Sequence, residues 1–207
     1  KVRTLLIDLD TQSNATTGLS DLFEKTNGSI YDVLIKGDGI KDAITKTSFS
    51  HLDIVSSTND LVGAEIELVS IMAREYQLKK VLKNIKKSYE IIIIDCPPSL
   101  AGLPTLALEL SDGLIIPVQC EYYAMEGLSQ ILPLVKKIKQ NTNPDLEIEG
   151  LLLTMFSQEL DLSHDVVDQI TEFFEGGTFS SVIPRDVLLA EATSHGCPAF
   201  QYDCESK

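Results

Sequence analysis

Two short apolar runs that each end in aspartate constrain this chain most: Leu5-Leu6-Ile7-Asp8-Leu9-Asp10 near its start and Ile91-Ile92-Ile93-Ile94-Asp95 near its middle. Each is too short for a helix and is bounded by polar or turn residues, the pattern of a strand buried in a parallel sheet. Residues 4–9, 90–94 and 114–118 are therefore expected strands, with weaker candidates at 52–56, 148–155 and 179–183. Helix-period segments lie between them at 64–87, 123–140 and 162–174, the last with Asp161 and Ser163 as caps. Strands alternating with helices of this length build βαβ units, whose right-handed crossovers close a parallel sheet with both faces covered. The expected fold is a doubly wound, mainly parallel α/β domain. Residues 27–47, with Gly28, Gly37 and Gly39, read as a short helix and loops, and residues 141–144 and Gly176-Gly177 as connecting turns.

With 207 residues, 43% of them hydrophobic, the chain can bury one full core, and its size favours a single domain over residues 1–207. No apolar run approaches the ~20 residues of a spanning helix. Residues 1–10 place a charged pair before a short apolar run that ends in Asp8 and Asp10, which does not read as a signal peptide. A soluble, cytoplasmic protein is expected. Thirty-one acidic against seventeen basic side chains give a formal charge of −14, and a field of that sign repels phosphate polymers and anionic membranes. Any nucleic-acid role must then be local or conditional. Cys96, Cys120, Cys197 and Cys204 form no C-x-x-C pair and only three histidines accompany them, so reduced thiols without zinc are expected.

In open α/β sheets ligands sit beyond the carboxyl ends of the strands, which directs attention to the residues that follow the two runs. Four isoleucines running into Asp95 have the form of a Walker B strand, whose terminal carboxylate helps hold Mg²⁺ through its water shell. A buried strand also ends in Asp where a turn or helix begins, and the run alone does not separate the two readings. Pro97-Pro98 cannot continue the ladder and force an abrupt exit. The period-two spacing of Asp8 and Asp10 places both carboxylates on one side of the strand end, where they repel unless a cation or a donor intervenes. A magnesium-nucleotide site would supply that compensation, and so would a solvated turn.

Larger segments resolve the ambiguity. LLIDLDTQSNATTGL (5–19), IYDVLIKG (30–37), LDIVSSTNDLVGAEIELV (52–69), YEIIIIDCPPSLAGLPTLALELSDGLIIPVQCEYYAMEGLSQIL (89–132), IEGLLLTMF (148–156) and SSVIPRDVLLAEATSHGCPAFQYDCESK (180–207) closely resemble the ParA/Soj family of chromosome and plasmid partitioning ATPases, within the MinD/ParA-type P-loop ATPases. The match covers nearly the whole chain in the family's order, and IIDCPPSL followed by PVQCEYYAMEGL is its most specific part, favouring partitioning proteins over MinD-like regulators.

The resemblance implies a role for each residue. Asp10 would be the catalytic switch aspartate near the γ-phosphate and the attacking water. Asp95 would be the Walker B aspartate on the magnesium shell, and Asp8 a supporting carboxylate of the nucleotide site. Residues 96–102 would form a second switch that senses the γ-phosphate. Met155 and Pro184 would contact the adenine, although Pro184 reads equally as a turn former. The implied activity is that of an ATP-driven switch that dimerises with ATP and Mg²⁺ and separates after slow hydrolysis. Its implied partners are a ParB-like centromere-binding protein and nonspecific DNA, in the nucleoid-associated bacterial cytoplasm and without a membrane.

The sequence also departs from the family. The amino-terminal strand and KGGxGKT loop that precede the 5–19 segment in relatives do not occur in the 207 residues, and no Gly-Lys dipeptide occurs anywhere. In relatives that strand lies inside the sheet beside the Walker B strand, so a chain truncated at this end, and at the carboxy end, is expected to leave unpaired backbone there and to be inactive as a fragment. The alternative is a nucleotide-free ParA-like scaffold that docks a partner. Thr11-Gln12-Ser13 replaces the family's Pro-Gln-Gly, which puts the local backbone in question because serine cannot match glycine's range. Leu188 and Thr193 stand where relatives often carry Arg and Pro, which weakens the expected DNA contact.

Overall fold

The computed structural model describes residues 2–70, 79, 81–83, 85–100 and 102–203. The chain forms two compact units, Lys1–Ala107 with Leu188–Ser206, and Leu108–Val187.

The first unit is built on β1 (Thr4–Asp8), β2 (Thr45–Lys46), β3 (Leu52–Val55) and β4 (Ile91–Asp95), in the order β2-β3-β1-β4. β1 runs parallel to both β3 and β4, while β2 pairs antiparallel with β3. Leu5 and Ile7 on β1 and Ile54 and Val55 on β3 are buried, as expected of strands whose apolar residues occupy both faces. Around the sheet lie α1 (Asn14–Thr17), α2 (Ile40–Ala43) and α3 (Leu61–Ser70), and α4 (Leu103–Leu110) carries the chain out of the unit. The helix expected over 64–87 is described as α3; residues 71–78, 80 and 84 of that expectation lie outside the described residues. Residues 27–47 contain β2 as well as the expected short helix, a strand too brief to show in the residue pattern.

One expectation fails at β4. The pattern of the isoleucine run predicts burial, yet among the described residues β4 is an end strand of its sheet, the unpaired edge that the resemblance implies, and Ile91 and Ile93 are 47% and 50% exposed. They share a face with Thr4 and Leu6, their register partners on β1, and β1 covers them from one side only. Full burial of such a side chain contributes about 1.5–3 kcal/mol, so two half-exposed isoleucines leave roughly that much unrealised.

The second unit carries β5 (Gly113–Gln119), β6 (Glu147–Phe156) and β7 (Thr178–Pro184), all parallel and in the order β5-β6-β7. The crossovers are α5 (Ala124–Asn141) and α6 (Asp161–Phe173). Ile116, Val118, Leu151 and Leu153 from the strands pack with Leu128, Val166 and Ile170 from the helices in one core. Asp161 and Ser163 do not cap α6: its N-cap is Leu160, with no side-chain cap bond, and the buried Ser163 hydroxyl instead donates to the Cys120 carbonyl at 3.4 Å. α7 (Val187–Ser194) returns the chain to the first unit, where α8 (Ala199–Tyr202) follows. Among the described residues no helix is long and apolar enough to cross a membrane.

Candidate functional site

Asp8 and Asp95 are register partners at the carboxyl ends of β1 and β4, and the Leu9 amide donates to the Asp95 carbonyl at 2.8 Å, which locks the two strand tips together. Partners in a parallel pair point to the same face about 4.8 Å apart. Asp10, two residues beyond Asp8, returns to that side. Three carboxylates thus converge at one sheet end, and desolvation, then the charges of Asp8 and Asp10, push the Asp95 carboxyl above the usual carboxylate range.

The three are not equivalent. Asp8 is fully buried and its oxygens are committed to the protein. Its Oδ1 accepts from the Asp10 amide at 3.1 Å, and its Oδ2 accepts from the Thr16 amide at 2.8 Å and the Thr16 hydroxyl at 2.6 Å. Thr16 Oγ1 in turn accepts from the Ser57 amide at 3.0 Å, and Ser57 Oγ donates to the Asp10 carbonyl at 2.7 Å. This ring of bonds ties β1, α1 and the loop after β3 into a rigid seat for Asp10. Asp10 spends Oδ1 on the Gln12 amide at 2.9 Å, and its Oδ2 has no partner among the described residues. The Asp95 carboxylate likewise has none. Asp8 is a brace, while Asp10 and Asp95 retain free oxygens.

Those free oxygens fit a hydrated divalent cation. Among the described residues no three His, Cys, Asp or Glu side chains are arranged to hold a metal by themselves. Mg²⁺ asks for less, because it keeps several waters and takes one or two carboxylates together with substrate phosphates. A partly desolvated carboxylate facing two further acids is a place where such a cation relieves repulsion. Beside it, the Cys96 thiol is pushed up to about 12, first by burial and then by the charges of Asp95 and Asp10, which removes it as a nucleophile.

The loop after Asp10 shows what the Thr11-Gln12-Ser13 departure does. Ser13 sits at φ 56, ψ 33, in the left-handed region that glycine adopts freely. Its hydroxyl is the buried side-chain oxygen without a hydrogen-bond partner among the described residues. In the second unit Met155 is also left-handed, at φ 55, where the register between β6 and β7 slips. Phe156 pairs with Pro184, so Met155 and Pro184 stand at adjacent strand ends. Met155, with Cys120, Tyr122, Tyr123, Leu160 and Arg185, lines a cavity of about 300 Å³. Arg185 closes an ion pair onto Glu121 at its rim.

The comparisons with known proteins bear directly on this arrangement. Residues 1–148 match the family described as AAA domain. The sporulation initiation inhibitor protein Soj of Bacillus subtilis is 45% identical over 99% of this chain and 81% of its own length. The chromosome partitioning protein ParA of Myxococcus xanthus is 43% identical over 99% of this chain and 72% of its own. The chain belongs to the ParA/Soj family of partitioning ATPases.

Solved structures agree with the family's fold. Cobyrinic acid a,c-diamide synthase from Mycobacterium smegmatis with bound ADP and magnesium has a TM-score of 0.80 at 33% identity, covering 97% of this chain and 78% of that one. Apo McdA from Cyanothece reaches a TM-score of 0.85 at 20% identity over 97% and 81%, a likeness of fold alone. Within this ParA/Soj scaffold the structure brings Asp8, Asp10 and Asp95 together in one unit and places Met155 beside Pro184 in the other. Thr16 and Ser57 escaped the sequence reading, because a hydroxyl in a loop carries no signal until its partner is known. The Glu121–Arg185 pair, 64 positions apart, could not be inferred either.

Proposed function

We propose that this ParA/Soj chain works as one magnesium- and ATP-dependent switch domain over residues 1–207, with Asp10 as the catalytic aspartate and Asp95 on the magnesium shell. The observation that supports it most is the division of labour at the sheet end, where a saturated Asp8 braces the loop and Asp10 and Asp95 keep free oxygens side by side. Bound Mg-ATP would supply the cation that neutralises these carboxylates and the phosphoanhydride that is cleaved. Asp10 would orient the attacking water and Asp95 would hold a magnesium-bound water. Residues 96–102, of which residue 101 lies outside the described ones, would act as the second switch. Met155 and Pro184 would contact the base, a role that the left-handed Met155 backbone supports, since such strain clusters at ligand sites.

The exposed side of β4 is where we place the strand and KGGxGKT loop that relatives carry. By themselves the 207 residues would hold ATP weakly, because three carboxylates face a polyanion without the amide cradle and lysines of that loop. Nucleotide-driven homodimers, a ParB-like partner, weak nonspecific DNA binding and a nucleoid-associated cytoplasmic setting complete the reading. The second reading is a nucleotide-free ParA-like scaffold that docks a partner.

The test joins a strand and KGGxGKT segment to the amino end and measures ATP hydrolysis. Activity should appear, and Asp10→Ala should lower turnover at least tenfold while leaving Mg-ATP affinity within about threefold. Equal turnover in the variant would remove Asp10 from catalysis. No nucleotide binding in the extended chain would favour the scaffold.

A further inference from the structure

At the opposite end of the first sheet lies a second concavity. Arg3 precedes β1, Asp53 opens β3, and Ser88 and Tyr89 precede β4, so this cavity sits at the amino ends of the parallel strands. Its volume is about 620 Å³, within the range that ligand pockets occupy. Four cations line it: Arg3, Lys25, Lys41 and Lys46. Among the described residues, Asp53 is the only carboxylate in that lining.

In a chain of net charge −14, such a cluster would be expected to find acidic partners. It does not. None of the four forms an ion pair among the described residues. Lys46 is the register partner of Asp53, yet Asp53 Oδ2 is taken by the Tyr89 hydroxyl, which donates to it at 2.6 Å. The Arg3 guanidinium lies over the Tyr89 ring, 5.3 Å from its centre, and the Arg3 amide donates to Glu90 Oε1 at 2.9 Å. Tyr89 therefore holds Arg3 in place and engages one oxygen of Asp53, whose single negative charge offsets only one of the four cations. Burial and the Asp53 bond push the Tyr89 phenol up to about 12, so it stays protonated and keeps donating across the physiological range. The pocket has a fixed wall, and its described lining carries four cations against one acid, an excess of positive charge.

We infer that this cavity is a binding site for a small multivalent phosphate anion, one with three or more charges on closely spaced phosphate groups. Phosphate matches lysine and arginine donors through charge-assisted bonds. A small anion also fits better than duplex DNA, whose further phosphates would meet the field of a chain with a net charge of −14. The site lies at the other end of the strands from Asp10 and Asp95, uses no magnesium and goes beyond the switch reading.

The test is calorimetry on the full chain in EDTA at low salt, which silences the carboxylate end. The titrants are inorganic tripolyphosphate, a sugar bisphosphate and a 20-base-pair duplex. One of the two small anions should bind at micromolar to low millimolar concentration, and whichever binds more tightly identifies the source of the phosphate. Lys41→Glu with Lys46→Glu should weaken that binding at least tenfold, and Lys25→Ala about threefold, since each removed cation acts at short range. These lysines are exposed, so thermal melts of the variants should match the parent. Asp95→Asn should leave the affinity unchanged. The inference fails if neither small anion binds, if the charge reversals leave binding intact, or if only the duplex binds through these lysines.

Discussion

Replacement of Ser13 by glycine is expected to stabilise the fold by at least about 1 kcal/mol. The magnitude follows from two costs that serine bears at this position. Its φ of 56 lies in the left-handed region, which costs a residue with a Cβ roughly 1–2 kcal/mol. Its buried hydroxyl has no partner among the described residues, which costs about 1–3 kcal/mol in lost solvation. Glycine removes both, and gives back about 0.4–1 kcal/mol through a freer unfolded chain. Nothing else is lost: Ser13 is the N-cap of α1 but makes no side-chain cap bond. Its amide donates to the Asp10 carbonyl at 3.0 Å and its carbonyl accepts from the Thr17 amide at 2.9 Å, bonds that glycine keeps. Thermal unfolding by circular dichroism should show a midpoint at least about 2 °C higher for Ser13→Gly at this chain length, with a matching rise in the urea midpoint. Ser13→Ala separates the two costs, because it deletes the hydroxyl but retains the Cβ, and should give about half the gain. A Ser13→Gly chain less stable than the parent would refute the strain argument. Equal gains for the two variants would assign the whole effect to the hydroxyl.

The other perturbations act on the same sheet end. Burial and two neighbouring acids raise the Asp95 pKa in the folded chain, so folding favours its protonated form. That stabilisation is present below the unfolded carboxylate value and is lost as pH rises through the folded one. Asp95→Asn should therefore unfold at higher urea than the parent at pH 7, and the difference should vanish near pH 3; a constant difference across that window would discard the electrostatic explanation. Thr16→Val removes the 2.6 Å bond to the buried Asp8 carboxylate and the acceptor for the Ser57 amide, and should cost about 2–3 kcal/mol in urea unfolding. Thr16→Ser, which keeps the hydroxyl, should cost under about 1 kcal/mol. A loss in Thr16→Val no larger than that in Thr16→Ser would refute the leading part given to the bond.

The residue pattern by itself determined the strands, because runs such as Leu5–Ile7 and Ile91–Ile94 leave no other way to hide their side chains within so few residues. Six of the seven strands among the described residues, the crossover helices and the parallel α/β class were legible in this way. So was the convergence of Asp8 and Asp10, which is a consequence of period two alone. The approach of Asp95 needed a register between strands more than eighty residues apart, and the resemblance, not the periodicity, anticipated it. Tertiary structure alone decided which carboxylates are free. Asp8 and Asp10 look alike in sequence, but the first is consumed by Thr16 and the second is not, since hydrogen bonding depends on what a loop brings within 3 Å. It also set how far Ile91 and Ile93 stay exposed at an edge that only the resemblance anticipated, because burial is set by a strand's neighbours and not by its own composition. The basic pocket was hidden for the same reason. A net charge of −14 is a sum over the chain, and only folding could gather Arg3, Lys25, Lys41 and Lys46 around one cavity while Tyr89 took the acid between them.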